Sequence, residues 1–343
     1  MKTFWDPVCL THTPRFFLQR GHVRSNYEVP LRAEALLEAA QRMGSEIVAP
    51  PAADDAAIAA VHDAGFLAFL RDAWRDWTAM ADAGPELVAN IHPTPEMLAN
   101  GAQPGGTIAG RLGWYTADTG TPLGARTWDA ARAAAACAIA AADAAARGET
   151  AYALCRPPGH HAYAARTGGH CILNNAAIAA QRLRDKGAAR VAVLDIDAHH
   201  GNGTQGIFWD RPDVLFVSVH GDPNGYYPWF VGHASERGGP AAPEANLNLP
   251  QPRGTDDAAW LGAIATGLDA IRAFGPDALV VSLGMDASEH EPLNWMKVTE
   301  DGFARAGAAI GGLGLPAAII QEGGYNTDVI GALLTRFLNS LQG

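Results

Sequence analysis

The chain has 343 residues, long enough for one large α/β domain or two smaller ones. Hydrophobic residues make up 48% and charged residues 18%, a balance that supplies a core and excludes a disordered chain. Lys and Arg number 25 against 36 Asp and Glu, and the resulting net charge of −11 argues against a nucleic-acid surface, which begins with clustered positive charge. An acidic chain suits a cationic small molecule.

The opening residues Met1-Lys2-Thr3-Phe4-Trp5-Asp6 lack the apolar run of a signal peptide. Helices are expected over Pro30–Met43 and Asp63–Met80. Residues 84–125 form a long Pro- and Gly-containing stretch with little periodicity, the profile of a lid, a binding loop or an assembly element. Its acids are Glu86, Glu96 and Asp118. The most apolar segment, Ala130 to Ala146, carries Arg132 and Asp143 and reads as a soluble helix, not a bilayer span. Four cysteines (Cys9, Cys137, Cys155 and Cys171) form no CxxC pair, which places the chain by default in a reducing, cytoplasmic compartment.

From about residue 127 the pattern alternates. A helical run, Thr127 to Arg147, leads to a strand over Ala151–Cys155, and a helix over Asn174–Lys186 leads to a strand over Arg190–Asp195. A short helix over Gly203–Trp209 precedes the strand Val214–Val219, and a long helix over Asp256–Phe274 precedes the strand Ala278–Leu283. A helix over Phe303–Leu313, the strand Ala317–Gln321 and a last helix to about Leu341 complete the order. Short continuous Val/Ile/Leu runs separated by helices specify a parallel sheet buried on both faces, an α/β domain of the doubly wound kind.

Six of the twelve histidines fall at positions 160, 161, 170, 199, 200 and 220. Polar clusters follow four of the expected strands: Arg156 to His161, Asp195 to Gly203, Gly284 to Asp286, and Glu322 to Tyr325. All four therefore belong at the carboxyl edge of the sheet, where open α/β sheets bind ligands. Asp195, Asp197 and His199 are spaced by two, so in extended chain they point the same way and can direct carboxylate and imidazole at one ion. Asp286 can add a ligand from another strand. Two carboxylates and one histidine leave open positions for water and substrate, as a hydrolytic metal site requires. The bland alternative makes Asp197 and Asp286 helix N-caps.

The segments RPPGHH (156–161), GGHCILNN (168–175), DIDAHHGNG (195–203), SVHGDP (218–223), GMD (284–286) and EGGY (322–325) resemble the histone deacetylase superfamily, and within it the bacterial acetylpolyamine amidohydrolases. Weaker agreement lies at residues 28–32 and 61–67. The resemblance implies a single deacetylase domain over 1–343, of the arginase/deacetylase-like fold, with a central, mainly parallel sheet flanked by helices and a loop insertion at about 84–125. It implies one Zn²⁺ per chain on Asp197, His199 and Asp286, a donor set that also accepts Fe²⁺ or Co²⁺. A structural K⁺ would sit near Asp195, Asp197 and His199, completed by Ser218 and the Val219 carbonyl. His160 and His161 would flank the attacking water, Asp195 holding the ring of His160 and Asn202 that of His161. A carboxylate favours imidazolium more than an amide does, so the two histidines would differ in proton affinity. His161 would be general base and then general acid, and Tyr325 would donate to the oxyanion.

The implied reaction is release of acetate from small acetylated amines such as acetylputrescine, acetylcadaverine and acetylspermidine, by a hydrolase of linear amide bonds. Gly169, His170, Tyr227 and Leu293 would line the channel, with Asp118 as the acid meeting a distal ammonium. His170 stands where the family places an aromatic residue, which makes the channel more polar and able to change charge near neutral pH. The long loop implies a homodimer, with neither nucleic acid nor membrane as partner. Arg156 reads as a structural ion-pair partner, Arg32 matches the family arginine near the acetate exit path, and His220 and His62 read as supporting residues. Cys171 reads as a small buried hydrophobe.

Three other readings compete. An acetyl-lysine protein or peptide deacetylase would need a wide mouth and a mobile loop. A binuclear manganese ureohydrolase would need acids where this chain has Gly201 and Ser288. A catalytically silent acetyl-ligand sensor would have lost hydrolytic residues, yet every position required for hydrolysis is filled.

Overall fold

The computed structural model describes residues 1–343. Ten strands form: β1 (Lys2–Phe4), β2 (Phe16–Gln19), β3 (His22–Ser25), β4 (Glu46–Val48), β5 (Ala151–Ala153), β6 (Val191–Asp195), β7 (Val214–Gly221), β8 (Asn246–Gln251), β9 (Ala278–Leu283) and β10 (Ala317–Gln321). Eight of them build one sheet in the order β4-β1-β5-β10-β9-β6-β7-β8, while β2 and β3 pair as a separate hairpin. Every pairing in the large sheet is parallel. The α/β class with a central parallel sheet is therefore as expected.

The central strands explain themselves. Every residue of β5, β6, β7, β9 and β10 is buried, as continuous Val/Ile/Leu/Ala runs require when helices cover both faces. The helix Thr127–Ala145 buries Cys137 and most of its alanines, and the small side chains let it lie close against β5 and β10. No helix is long and apolar enough to cross a membrane.

The elements expected from residue 127 onward form within a few residues of their anticipated ends. The stretch 84–125 differs from its reading as irregular chain. It contains helices Pro95–Ala99 and Ile108–Tyr115, capped by Thr94 and Thr107, and a Leu87–Leu123 bridge closes its base. Thr116 pairs with Thr167, which brings residues 116–121 beside the channel segment 168–171.

Candidate active site

The four polar clusters converge because their strands are neighbours. The order β5-β10-β9-β6-β7 carries the turns after each strand to one edge. Asp195 lies in register with Ser282 on one side and Ser218 on the other.

At the floor, the ligand atoms of Asp197, His199 and Asp286 all lie within 4.8 Å of one another. His199 Nδ1 is 2.9 Å from Asp286 Oδ2 and 3.3 Å from Asp197 Oδ1. Both carboxylates are fully buried. Their outer oxygens are held by backbone: Ala198 N donates to Asp286 Oδ1 at 2.8 Å and Gly323 N to Asp197 Oδ2 at 2.8 Å. A Cβ at Gly284 would stand 2.1 Å from Asp197 Oδ2, and one at Gly323 2.5 Å from Asp286 Oδ2, so glycine is required where the chain passes the carboxylates. Two buried carboxylates and one imidazole aimed at a common point form a cation site, and their O/N donor set fits a divalent metal. Neither aspartate caps a helix, which removes the bland reading.

Above this cluster, the rings of His160 and His161 lie 4.0 Å apart. Asp195 Oδ2 is 3.0 Å from His160 Nδ1, and Asn202 Oδ1 is 2.6 Å from His161 Nδ1. Asn202 reaches the ring because the helix Asn202–Phe208 starts against the histidine loop, Gly203 N donating to His160 O at 3.0 Å. A Cβ on Gly203 would lie 2.2 Å from Ala162 O. The loop is held on its other side by Asn174, which caps the helix Asn175–Asp185 and donates to Ala162 O at 2.9 Å.

The partners set the proton affinities apart. For His160, burial alone would lower the pKa, but Asp197 and Asp195 outweigh it and carry it up to about 10. His161 is driven well below its usual value by burial and by the neighbouring His160 and His199. The sequence reading of one charged and one neutral imidazole matches these directions.

Tyr325 follows β10. Its backbone N donates to Glu291 Oε1 at 2.9 Å, and Arg32 donates to the carbonyls of Gly324 and Glu322. Burial pushes its phenol well above the usual range, so the hydroxyl keeps its proton. Glu322, named only within its motif, accepts from the N–H groups of Gly159 and His160 at 2.7 and 3.1 Å, tying β10 to the histidine loop.

A cleft of about 250 Å³ opens from this floor, lined by His161, Gly169, His170, Tyr227, Leu293 and Tyr325 among others. All five expected channel residues line it, Asp118 included. Gly169 could not be otherwise: at φ 54° its Cβ would lie 2.3 Å from His161 Cδ2. His170 differs from expectation. Burial carries its pKa down to about 4, so it is a neutral ring at neutral pH and does not change charge there. Asp118 holds the channel wall: its Oδ2 accepts from Tyr227 Oη at 2.6 Å and Gly169 N at 2.9 Å. Glu86 instead accepts from Arg15 N, and Glu96 is exposed in the first turn of its short helix.

Several contributors were invisible in the sequence. The β2–β3 hairpin supplies Phe17, Leu18 and Arg20 to the cleft, from strands of only four residues each, too short to stand out. Tyr226 stacks on His199 at 4.4 Å and 14°, with Trp295 behind it. The supporting residues are structural as read. Arg156 meets Glu28 at 2.8 Å and the carbonyls of Cys9 and His12, and His62 Nε2 accepts from Asn174 N. His220 bridges Ser218 Oγ and Gly232 O, and Cys171 is fully buried.

A parallel α/β sheet with a buried Asp/His/Asp cluster beneath paired histidines defines a metal-dependent hydrolase scaffold. The histone deacetylase domain matches residues 25–341, and the chain belongs to that family. It is 46% identical over 334 residues to an acetylpolyamine amidohydrolase of Burkholderia pseudomallei, covering 97% of this chain and 96% of the relative. It is 41% identical to acetylpolyamine amidohydrolase 2 of Pseudomonas aeruginosa, covering 100% and 99%. The crystal structure of the acetylpolyamine aminohydrolase from Burkholderia pseudomallei superposes with a TM-score of 0.95 at 44% identity, covering 99% of this chain and 98% of that one.

Proposed function

We propose that this chain is a Zn²⁺-dependent amidohydrolase that removes the acetyl group from small acetylated amines, acetylputrescine, acetylcadaverine and acetylspermidine among them. The observation that carries the reading is the buried Asp197–His199–Asp286 cluster facing His160 and His161 at the foot of a cleft of about 250 Å³. The full-length likeness to named acetylpolyamine amidohydrolases favours small amines over an acetyl-lysine protein substrate.

Asp197, His199 and Asp286 would hold the dication, which when bound polarises the acetyl carbonyl and acidifies water. His161, neutral at rest, takes the proton of the attacking water as the C–O bond forms. Tyr325 donates its retained proton as a hydrogen bond to the tetrahedral oxyanion. His161 then passes its proton to the leaving nitrogen as the C–N bond breaks, giving acetate and free amine. His160, kept charged by Asp195, stabilises the negative charge that develops beside it. Arg32 and Glu291 hold the Tyr325 backbone from two sides.

Asp195 lies opposite Ser218 at the ends of β6 and β7, which supports a structural K⁺ held by Asp195, Asp197, His199, Ser218 and the Val219 carbonyl as part of the proposal. So is one catalytic domain spanning 1–343. A homodimer is proposed through the 84–125 segment, whose Ile91, Met97 and Leu98 are exposed apolar side chains. Four buried free cysteines support a reducing, cytoplasmic setting.

The test is acetate release from acetylputrescine by the purified protein, after chelator treatment and again after reloading with Zn²⁺. Loss and recovery of turnover are expected. Full turnover in the stripped protein would overturn the metal assignment.

A further inference from the structure

The mouth of the cleft carries an unbalanced positive charge. Arg20 and Gly21, with φ of 51° and 78°, are the two central residues of the tight turn joining β2 to β3, the left-handed pair that a two-residue hairpin adopts. Phe17 of β2 packs edge-on against His170 at 5.4 Å, which fixes the hairpin as one wall of the cleft. Arg20 lines that wall and is itself exposed. No ion pair or side-chain hydrogen bond of the structure engages its guanidinium.

Asp118 is the one carboxylate among the lining residues, and its acceptor capacity is filled from within. Oδ2 accepts from Tyr227 Oη and Gly169 N, and Oδ1 from Gly120 N at 2.8 Å and Thr121 Oγ1 at 3.4 Å. A carboxylate offers about four lone-pair sites, so an ammonium entering the mouth finds the oxygens of Asp118 already engaged. A carboxylate entering it meets a guanidinium whose fork of N–H donors has no partner.

We propose that Arg20 is a specificity-determining residue that reads the charge at the far end of the acetylated amine. It disfavours a lone ammonium at that end and pairs with a carboxylate, which makes side-chain-acetylated diamino acids a further substrate class. The proposal rests on the amidohydrolase reading and names what that same site selects.

The test uses a matched pair, acetylcadaverine and free Nε-acetyl-L-lysine, which differ by one α-carboxylate. With Arg20→Gln, kcat/KM for acetyl-lysine should fall about fivefold, the effect of one exposed charge at contact distance in water. Acetylcadaverine should be unchanged or improved. Arg20→Glu should move the ratio further in the same direction, and 0.5 M salt should shrink the difference, which a purely structural role would not do. Turnover of both substrates with a ratio the same in wild type, Arg20→Gln and Arg20→Glu overturns the role of Arg20 alone. Silence of the Zn²⁺-loaded wild type on both overturns the amidohydrolase reading and this proposal with it.

Discussion

Glu28 is the test of how Tyr325, the proposed oxyanion donor, is held. Its carboxylate, fully buried, lies 2.7 Å from Arg32 Nη1 and 2.8 Å from Arg156 Nη2. In Glu28→Gln the volume is kept, but an amide faces two guanidinium groups and turns an N–H₂ toward one of them. Breaking a buried pair costs about 3–5 kcal/mol, because the surviving charge stays desolvated. Arg32 retains the carbonyls of Gly324 and Glu322, and Arg156 those of Cys9 and His12, so the lower part of that range applies. At about 2.1 cal/mol/K of unfolding entropy per residue, a chain of 343 residues loses roughly 4–6 °C of Tm for about 3–4 kcal/mol. The control is Glu38→Gln, the same chemical change in the exposed Glu38–Arg42 pair, where less than about 1 °C is expected. Because Arg32 also grips the loop carrying Tyr325, kcat should fall more than KM rises in Glu28→Gln. Scanning calorimetry checks the first part and steady-state kinetics the second. Equal Tm shifts in the two variants would refute the claim that Glu28 neutralises a buried arginine pair.

Tyr325→Phe should lower kcat by about 10²–10³ with the fold intact, the usual loss for an oxyanion donor, measured as acetate release by the Zn²⁺-loaded variant; near-normal turnover removes the role. Gly169→Ala places a Cβ 2.3 Å from His161 Cδ2 at φ 54°, and displacing His161, the proposed base, should cost about tenfold or more in kcat while circular dichroism stays native. His62 is buried, accepts from Asn174 N, and is carried by burial from 6.5 down to about 4. The unfolded chain therefore binds this proton first, and stability fully present above pH 6.5 is lost as pH falls toward 4. Urea midpoints between pH 7 and 4 should fall with acid in the wild type and fall less in His62→Gln; parallel curves would contradict the assignment.

The boundary between what the sequence discloses and what it conceals follows burial. β9 and β10 are apolar runs covered on both faces, and their ends match the expectation residue for residue. The candidate catalytic set was legible because its chemistry sits in contiguous motifs directly after such strands. β1 and β4 are three residues each and take their identity from pairing with each other and with β5. β8, Asn246–Gln251, includes Pro250 and two asparagines and is tolerated as a strand at the sheet edge. The cleft walls were the least legible part. Tyr226, Phe17 and Arg20 arrive from distant segments, and only the folded chain shows that Asp118 spends its oxygens on Gly169 and Tyr227.

The most direct test of the central claim compares kcat/KM for acetylputrescine, acetylcadaverine and acetylspermidine with that for an acetyl-lysine peptide, by acetate release from the Zn²⁺-loaded protein. The account predicts a preference of at least tenfold for the best free amine, about 1.4 kcal/mol in the transition state. A preference for the peptide would contradict it.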